Sequence, residues 1–420
     1  MRFRDIFASN QIFALTAKGL EGLKSFFFVL LIANAFGPGE LGSFVYVISA
    51  IAIISIVSEF RLHSALVLHG SQKEVETSKL IGSAFLINLF FALVGLLITL
   101  SLIYLFDDRD EQIGLAVMSL AFFLKIPRAV KAELLAREQA KFIAVSEIFA
   151  SMVLFGAAFF AFYGKAEFVE YFYVRVLDYL ILALGFLYVF HVRVLPLQSL
   201  RVDRALCKKL VFESAPLVLS GAAMMLVQKS DVILIKHILD VEAAGIYSAA
   251  STVAMIFALV PLTLSEALAP RMFRTKKLSM IEVDRVKYQF SRLIILTGLV
   301  LSVLLFLFGG LFIELFYSEE FKGGGQVLAI LSLIPLLVAL GSCAGQIIVY
   351  EGSQNGVFYK SVLGCIVGIA LHVILIPIFG LVGASLATVI GFLISNFLSH
   401  LLFPKYRRIF FLQCRVILLR

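Results

Sequence analysis

Hydrophobic residues along this chain come in long continuous runs, each cut by a short polar or charged connection, and they neither alternate with period two nor keep to one helical stripe. Runs of about 20 apolar residues match the hydrocarbon core of a bilayer. Lipid accepts only helices or closed barrels, because the backbone must satisfy its own hydrogen bonds there. A barrel would need alternating segments of about ten residues, and the runs here are unbroken. The pattern predicts about twelve spanning helices, near 11–35, 41–66, 80–106, 112–132, 142–163, 167–191, 210–236, 244–268, 292–317, 326–350, 357–378 and 381–403. The expected fold class is an all-α polytopic membrane protein.

Composition points the same way. With 61% hydrophobic residues, 15% charged residues and a mean hydropathy of +1.01, the 420 residues hold more apolar runs than one soluble core can bury. The first run carries internal charges and lacks a small-residue cleavage site, so it reads as a retained span rather than a cleaved signal. A net charge of +8 would point to nucleic acid in a soluble protein; here it lies in the connections, and no nucleic-acid partner is expected. Basic connections hold Lys73 and Lys79; Lys125, Arg128, Lys131, Arg137 and Lys141; Arg193, Arg201, Arg204, Lys208 and Lys209; Arg271, Arg274, Lys276, Lys277, Arg285 and Lys287; and the tail. The intervening ones, such as Gly37-Pro-Gly-Glu40, Asp107-Asp-Arg-Asp-Glu111, Asp240-Val-Glu242 and Glu319-Glu320, are acidic or neutral. The positive-inside rule then places both termini in the cytoplasm, as an even span count does.

The basic stretch 192–209 separates six spans from six, giving expected halves 1–200 and 201–420. Leu31-Ile-Ala-Asn-Ala-Phe-Gly-Pro-Gly-Glu-Leu-Gly-Ser-Phe44 lies over Leu234-Ile-Lys-His-Ile-Leu-Asp-Val-Glu-Ala-Ala-Gly-Ile-Tyr247 without a gap, with Gly42 on Gly245 and Phe44 on Tyr247. Six-helix halves repeated in parallel would place a binding site at their interface.

Charges inside spans carry the candidate chemistry. A charge at mid-membrane costs roughly 2.5–3.5 kcal/mol, so such residues face a protein interior or a watery cavity. Lys18, Glu21 and Lys24 recur every three residues on one side of the first span. Glu59 and Arg61 end the second span, and the sixth holds Arg175 and Asp178. The seventh holds Lys229 and Lys236, seven apart and on nearly one face, with Asp231 roughly opposite Lys229. Glu266 and Glu314 lie near the ends of the eighth and ninth. Two lysines on one face suit a phosphate or diphosphate, and carboxylates beside them would exchange a proton or sodium ion. Structural alternatives stand beside each reading. Lys18 and Lys24 can snorkel to the interface, Arg175 and Asp178 can form an internal neutral pair, and Asp231 can serve only to balance a lysine. Glu59, Arg61, Glu266 and Glu314 can sit at the headgroups.

Other chemistries find no support. There is no Gly-Lys-Ser/Thr phosphate loop. The six histidines and Cys207, Cys343, Cys365 and Cys414 show no metal or disulfide spacing, and no catalytic residue, metal or cofactor is expected.

Glu213-Ser-Ala-Pro-Leu-Val-Leu-Ser220, Gln228-Lys-Ser-Asp-Val-Ile-Leu-Ile235, Ala244-Gly-Ile-Tyr-Ser-Ala-Ala250, Arg128-Ala-Val-Lys-Ala-Glu-Leu-Leu-Ala-Arg137 and Pro377-Ile-Phe-Gly-Leu-Val-Gly-Ala-Ser-Leu-Ala-Thr388 together resemble the O-antigen and polysaccharide lipid-flippase family of the multidrug/oligosaccharidyl-lipid/polysaccharide exporter superfamily. The resemblance implies two six-helix bundles in a V around a cationic cavity. It also implies translocation of undecaprenyl-diphosphate-linked oligosaccharide across the bacterial inner membrane by ion-coupled alternating access. The family's Lys/Arg-x-Asp pattern falls on Lys229 and Asp231. Under this reading Lys18, Lys24, Arg61, Arg175, Lys229 and Lys236 are substrate-binding; Glu21, Glu59, Asp178, Asp231 and Glu266 couple the ion or balance charge. Implied partners are the lipid-linked substrate, membrane lipid, H+ or Na+, a polysaccharide polymerase and a chain-length regulator. The competing readings are a drug or small-cation exporter, which wants an acidic cavity, and an integral polymerase or glycosyltransferase, which wants a larger outer loop than this chain offers.

Overall fold

The computed structural model describes residues 9–60, 62, 65–66, 69, 75–106, 108–137, 139–273, 279–351 and 355–418. Regular structure among these residues is helical throughout: α1 (Ser9–Phe36), α2 (Pro38–Ser58), α3 (Thr77–Leu102), α4 (Arg109–Leu124), α5 (Arg128–Ala136), α6 (Ala140–Tyr163), α7 (Glu170–Arg193), α8 (Arg204–Ile238), α9 (Val241–Phe273), α10 (Met280–Phe316), α11 (Gly324–Leu331), α12 (Ile334–Tyr350), α13 (Asn355–Leu393) and α14 (Arg407–Ile417). Ten stretches of the described residues are long and apolar enough to cross a bilayer. The chain is a multi-pass helical membrane protein.

One place extends the span pattern expected above, and another matches it. The expected span 112–132 extends to Ala136: Arg128–Ala136, its basic residues also counted with the connection after that span, is helical and continues from α4 across Pro127. Near the C-terminus, Val362–Leu402 forms one apolar stretch of 41 residues, against the roughly 20 that a bilayer requires, and the expected spans 357–378 and 381–403 match its two arms. It is broken at Gly380, whose φ of 57° and ψ of −134° are not helical; a residue with a Cβ is penalised at positive φ, and glycine is not. His372 meets Thr388, Gly368 meets Gly391, and Gly364 meets Ser395. These pairs step back evenly on either side of Gly380, so the stretch is an antiparallel helical hairpin.

Residue contacts divide the chain into two compact units, an amino-terminal one holding Phe7–Lys24 with Ser43–Met225 and a carboxy-terminal one holding Ser25–Gly42 with Leu226–Arg420. In the first, α3, α5, α6 and α7 close on Ile81, Val130, Leu134, Ile143, Ala144, Ala150, Phe186 and Phe190. Lipid tails are as apolar as these side chains, so close packing through small residues, not water exclusion, holds such helices together. Large residues such as Leu97, Phe160 and Phe306 point outward, as a lipid-facing surface allows.

In the carboxy-terminal unit the second part of α1 packs on α10: Phe26 faces Phe312, and Asn34 Nδ2 donates to the Phe316 carbonyl at 2.8 Å. The start of α2 crosses the start of α9 backbone to backbone. A Cβ on Gly42 would overlap the carbonyl oxygen of Val241, and a Cβ on Gly245 would overlap that of Pro38. Pro38 precedes Gly42 by the same interval as Val241 precedes Gly245, so the contact is reciprocal, as between two copies of one motif. This is the register in which the sequence aligned 31–44 with 234–247. Gly42→Ala and Gly245→Ala should therefore destabilise the protein by similar amounts, about 1–3 kcal/mol each as for other overpacked sites. Thermal unfolding of the purified variants would show unequal losses if the crossing were not reciprocal.

Candidate functional site

The amino-terminal unit contains a dense charged cluster organised by α7. Asp178 is fully buried and accepts hydrogen bonds from Lys24 Nζ at 2.9 Å and from Arg175 Nη1 at 3.1 Å. The three-residue spacing of Arg175 and Asp178 puts both on one side of α7. Glu147 of α6, also buried, lies 3.8 Å from Lys24 Nζ and 3.5 Å from Lys131 Nζ. Lys125 Nζ donates to Glu59 Oε1 at 2.7 Å and to Ser55 Oγ at 3.3 Å.

Tyr179 stands among the cations. Lys125 Nζ, Arg128 Cζ and Arg175 Cζ approach its ring centroid to 5.3, 5.7 and 5.3 Å, within the range at which the negative ring face attracts a cation. Glu21, exposed on α1, lies in the field of Lys131, Arg128, Lys24 and Arg175. Lys18 sits one turn before it, half-buried. Lys24, Lys125, Arg128, Lys131 and Arg175 thus outnumber Glu21, Glu59, Glu147 and Asp178, and the cluster is net positive. The part-exposed Arg128, Lys131 and Arg175 carry the planar and point-charge donors that oxyanions bind.

The sequence reading joined Lys24, Arg175, Asp178 and Glu21 only by their spacing; the structure brings them together. Glu59 joins through Lys125. Arg61 lies outside the described residues. Lys125, Arg128, Lys131, Glu147 and Tyr179 were not singled out as site residues. The signal for the three cations was their three-residue period, the same as that of Lys18, Glu21 and Lys24.

A second polar site lies in the carboxy-terminal unit. Asp231 is buried; its Oδ1 accepts the Val232 amide at 2.8 Å and its Oδ2 accepts Tyr247 Oη at 3.0 Å. Tyr247 Oη is 2.7 Å from Thr388 Oγ1, which is 3.1 Å from His372 Nε2. His372 Nδ1 completes the series at 2.7 Å from the Gly368 carbonyl. Lys229 contributes its positive field to Asp231. Lys236 is half-buried near the end of α8, and Glu266 is half-buried in α9. Isolated polar residues in apolar runs gave no spacing signal for His372 or Thr388, and Tyr247 stood out only within its Gly-Ile-Tyr motif.

A family model described as polysaccharide biosynthesis protein matches residues 7–276. No curated protein matches the sequence. Among solved structures, a multidrug resistance MATE family transporter of the MOP superfamily has a TM-score of 0.75 at 15% identity, covering 96% of this chain and 95% of its own. A MOP superfamily transporter from Pyrococcus furiosus gives 0.67 at 13% identity, and MATE in complex with MaL6 gives 0.68 at 14%, each over 96% of this chain and 95% of theirs. At these identities the likeness establishes a MATE-like fold.

Removing one member of a buried pair leaves its partner charged and uncompensated, at a cost of about 3–5 kcal/mol. Lys24→Ala should lose stability on that scale, whereas Lys322→Ala, from an exposed pair with Glu319, should lose at most about 1 kcal/mol. Denaturation midpoints of the two variants in the same detergent would refute the buried-pair assignment by moving equally.

Proposed function

The chain belongs to the polysaccharide biosynthesis protein family, and on that footing we propose that it is a flippase for a diphosphate-linked oligosaccharide lipid. The lipid is of the undecaprenyl class and moves from the cytoplasmic to the outer leaflet of the bacterial inner membrane, as in O-antigen assembly. The observation that carries this reading is the net-positive cluster around Tyr179, built largely on helices long and apolar enough to cross a bilayer, with Arg128, Lys131 and Arg175 partly exposed. A diphosphate is a headgroup that such a cationic site would attract, and in a half-dry site the attraction exceeds its value in bulk water.

Within this proposal Arg175, Arg128 and Lys131 take the diphosphate; Lys24, committed to Asp178, holds their geometry, and Lys18, Arg61, Lys229 and Lys236 are further candidate cations for the substrate. Glu21, Glu59, Asp178 and Glu266 balance charge. Asp231 carries the coupling ion of an alternating-access cycle. The chain has no tryptophan among its 420 residues, so sugar rings would stack on tyrosine and phenylalanine. Twelve spans, with both termini in the cytoplasm and halves 1–200 and 201–420, are the topology that goes with this reading. The reciprocal glycine crossing supports an origin by duplication.

Full-length protein reconstituted in liposomes should transfer fluorescent undecaprenyl-diphosphate oligosaccharide between leaflets. A hydrogen bond to a charged group is worth about 1.5–3 kcal/mol, so Arg128→Ala and Arg175→Ala should each slow transfer about tenfold or more. Unchanged transfer in both variants would sink the site. Efflux of a lipophilic cation with no transfer of the oligosaccharide lipid would favour the drug-exporter reading instead.

A further inference from the structure

The hydrogen bonds that end at His372 constrain where protons sit in the carboxy-terminal unit. His372 Nδ1 faces the Gly368 carbonyl at 2.7 Å; a carbonyl only accepts, so Nδ1 carries a hydrogen. Three contacts remain, from His372 Nε2 to Thr388 Oγ1, from Thr388 Oγ1 to Tyr247 Oη, and from Tyr247 Oη to Asp231 Oδ2, at 3.1, 2.7 and 3.0 Å. Each needs one hydrogen. Threonine and tyrosine supply one each, so the third must come from an end of the series.

Two arrangements satisfy all three contacts with a single added proton. With the proton on Asp231, the donors run from Asp231 to Tyr247 to Thr388 to a neutral His372. With it on His372 Nε2, every donor reverses, leaving an imidazolium at one end and a carboxylate at the other. A second proton is accommodated when Thr388 turns its hydrogen to the Ala384 carbonyl, 3.1 Å away. With no proton at either end, one contact sets lone pair against lone pair in a buried site, where an unsatisfied polar group is costly.

We propose that Asp231 and His372 share an exchangeable proton through Tyr247 and Thr388, and that this proton is the ion coupled to transport. In the transfer, Asp231 Oδ2 gives its hydrogen to Tyr247 Oη. Tyr247 passes its own to Thr388 Oγ1, and Thr388 passes its own to His372 Nε2. One proton leaves the carboxyl and one arrives at the imidazole, with only O–H and N–H bonds exchanged. Lys229 adds its positive field at Asp231. His372 and Thr388 also line a small cavity with Ser230, Cys365 and Gly368. The Ser230 hydroxyl there is buried with no hydrogen-bond partner among the described residues, so the cavity holds an unused polar atom beside the imidazole end. Only the assignment of the proton as the coupled ion rests on the transport function proposed above; the wire itself rests on the four side chains.

Groups coupled by more than about one pK unit titrate as a pair, not singly. Infrared difference spectra of the full-length protein in nanodiscs, followed through a pH titration, should show the protonated-carboxyl band lost in Asp231→Asn and the ring band lost in His372→Ala changing in one shared step. Tyr247→Phe keeps the ring and removes Oη, and should separate the two midpoints by more than about one pH unit. Thr388→Val removes the other hydroxyl and should do the same should Tyr247→Phe fail to fold. Independent titration of the two bands in the unmodified protein overturns the wire, as does a shared step that survives in Thr388→Val. Loss of the carboxyl band on adding sodium at fixed pH also overturns it, in favour of a metal-cation site. Leaflet transfer driven by a pH gradient alone is scored separately. A shared step without transfer leaves the wire standing and defeats the flippase reading; transfer with independent bands does the reverse.

Discussion

An ionised group removed from water must be met by opposite charge and by hydrogen bonds, or it does not stay ionised. Much of the amino-terminal unit follows from that constraint. Lys24 is buried on α1, and two carboxylates, Asp178 on α7 and Glu147 on α6, stand around it. Three helices are thereby tied at one level. Because Lys24 and Asp178 are committed to each other, the charge left to meet a ligand falls on Arg128, Lys131 and the outer part of Arg175. The buried pair thus positions the exposed cations around Tyr179 and leaves the cluster its positive sign.

The carboxy-terminal unit treats polarity differently. Asp231 has a lysine in its field, but its direct partners are an amide and a phenol, and the series continues through a hydroxyl to an imidazole. An ion pair holds a geometry; a row of hydroxyls can reverse its direction without moving a heavy atom. One network suits holding charge in place, and the other suits handing a proton along.

Much of the fold could be read from the length of the apolar runs, since bilayer thickness and backbone hydrogen bonding leave few alternatives. The repeat was readable because Gly42 and Gly245 have no side chain and their backbones must touch. The helix was readable only as far as residue 132, because reasoning from charge assigns basic residues at a span's end to water, whereas here α4 continues across Pro127 to Ala136 and carries Lys125 and Arg128 to the ring of Tyr179. Lys24, Arg175 and Asp178 could be picked out by helical spacing. His372 and Thr388 could not: each is a lone polar residue in an apolar run, and Thr388 meets Tyr247 across 141 positions of sequence.

The hairpin centred on Gly380 has no aspartate, glutamate, lysine or arginine between Val362 and Leu402. Charged residues at the ends of a span can moor it to the headgroups; this pair of arms has none at its turn. Its vertical register is set instead by a single left-handed glycine and by the small residues that mesh behind it. Inserting one residue into either arm would slide every rung above it, and the imidazole of His372 would no longer stand opposite the hydroxyl it reads.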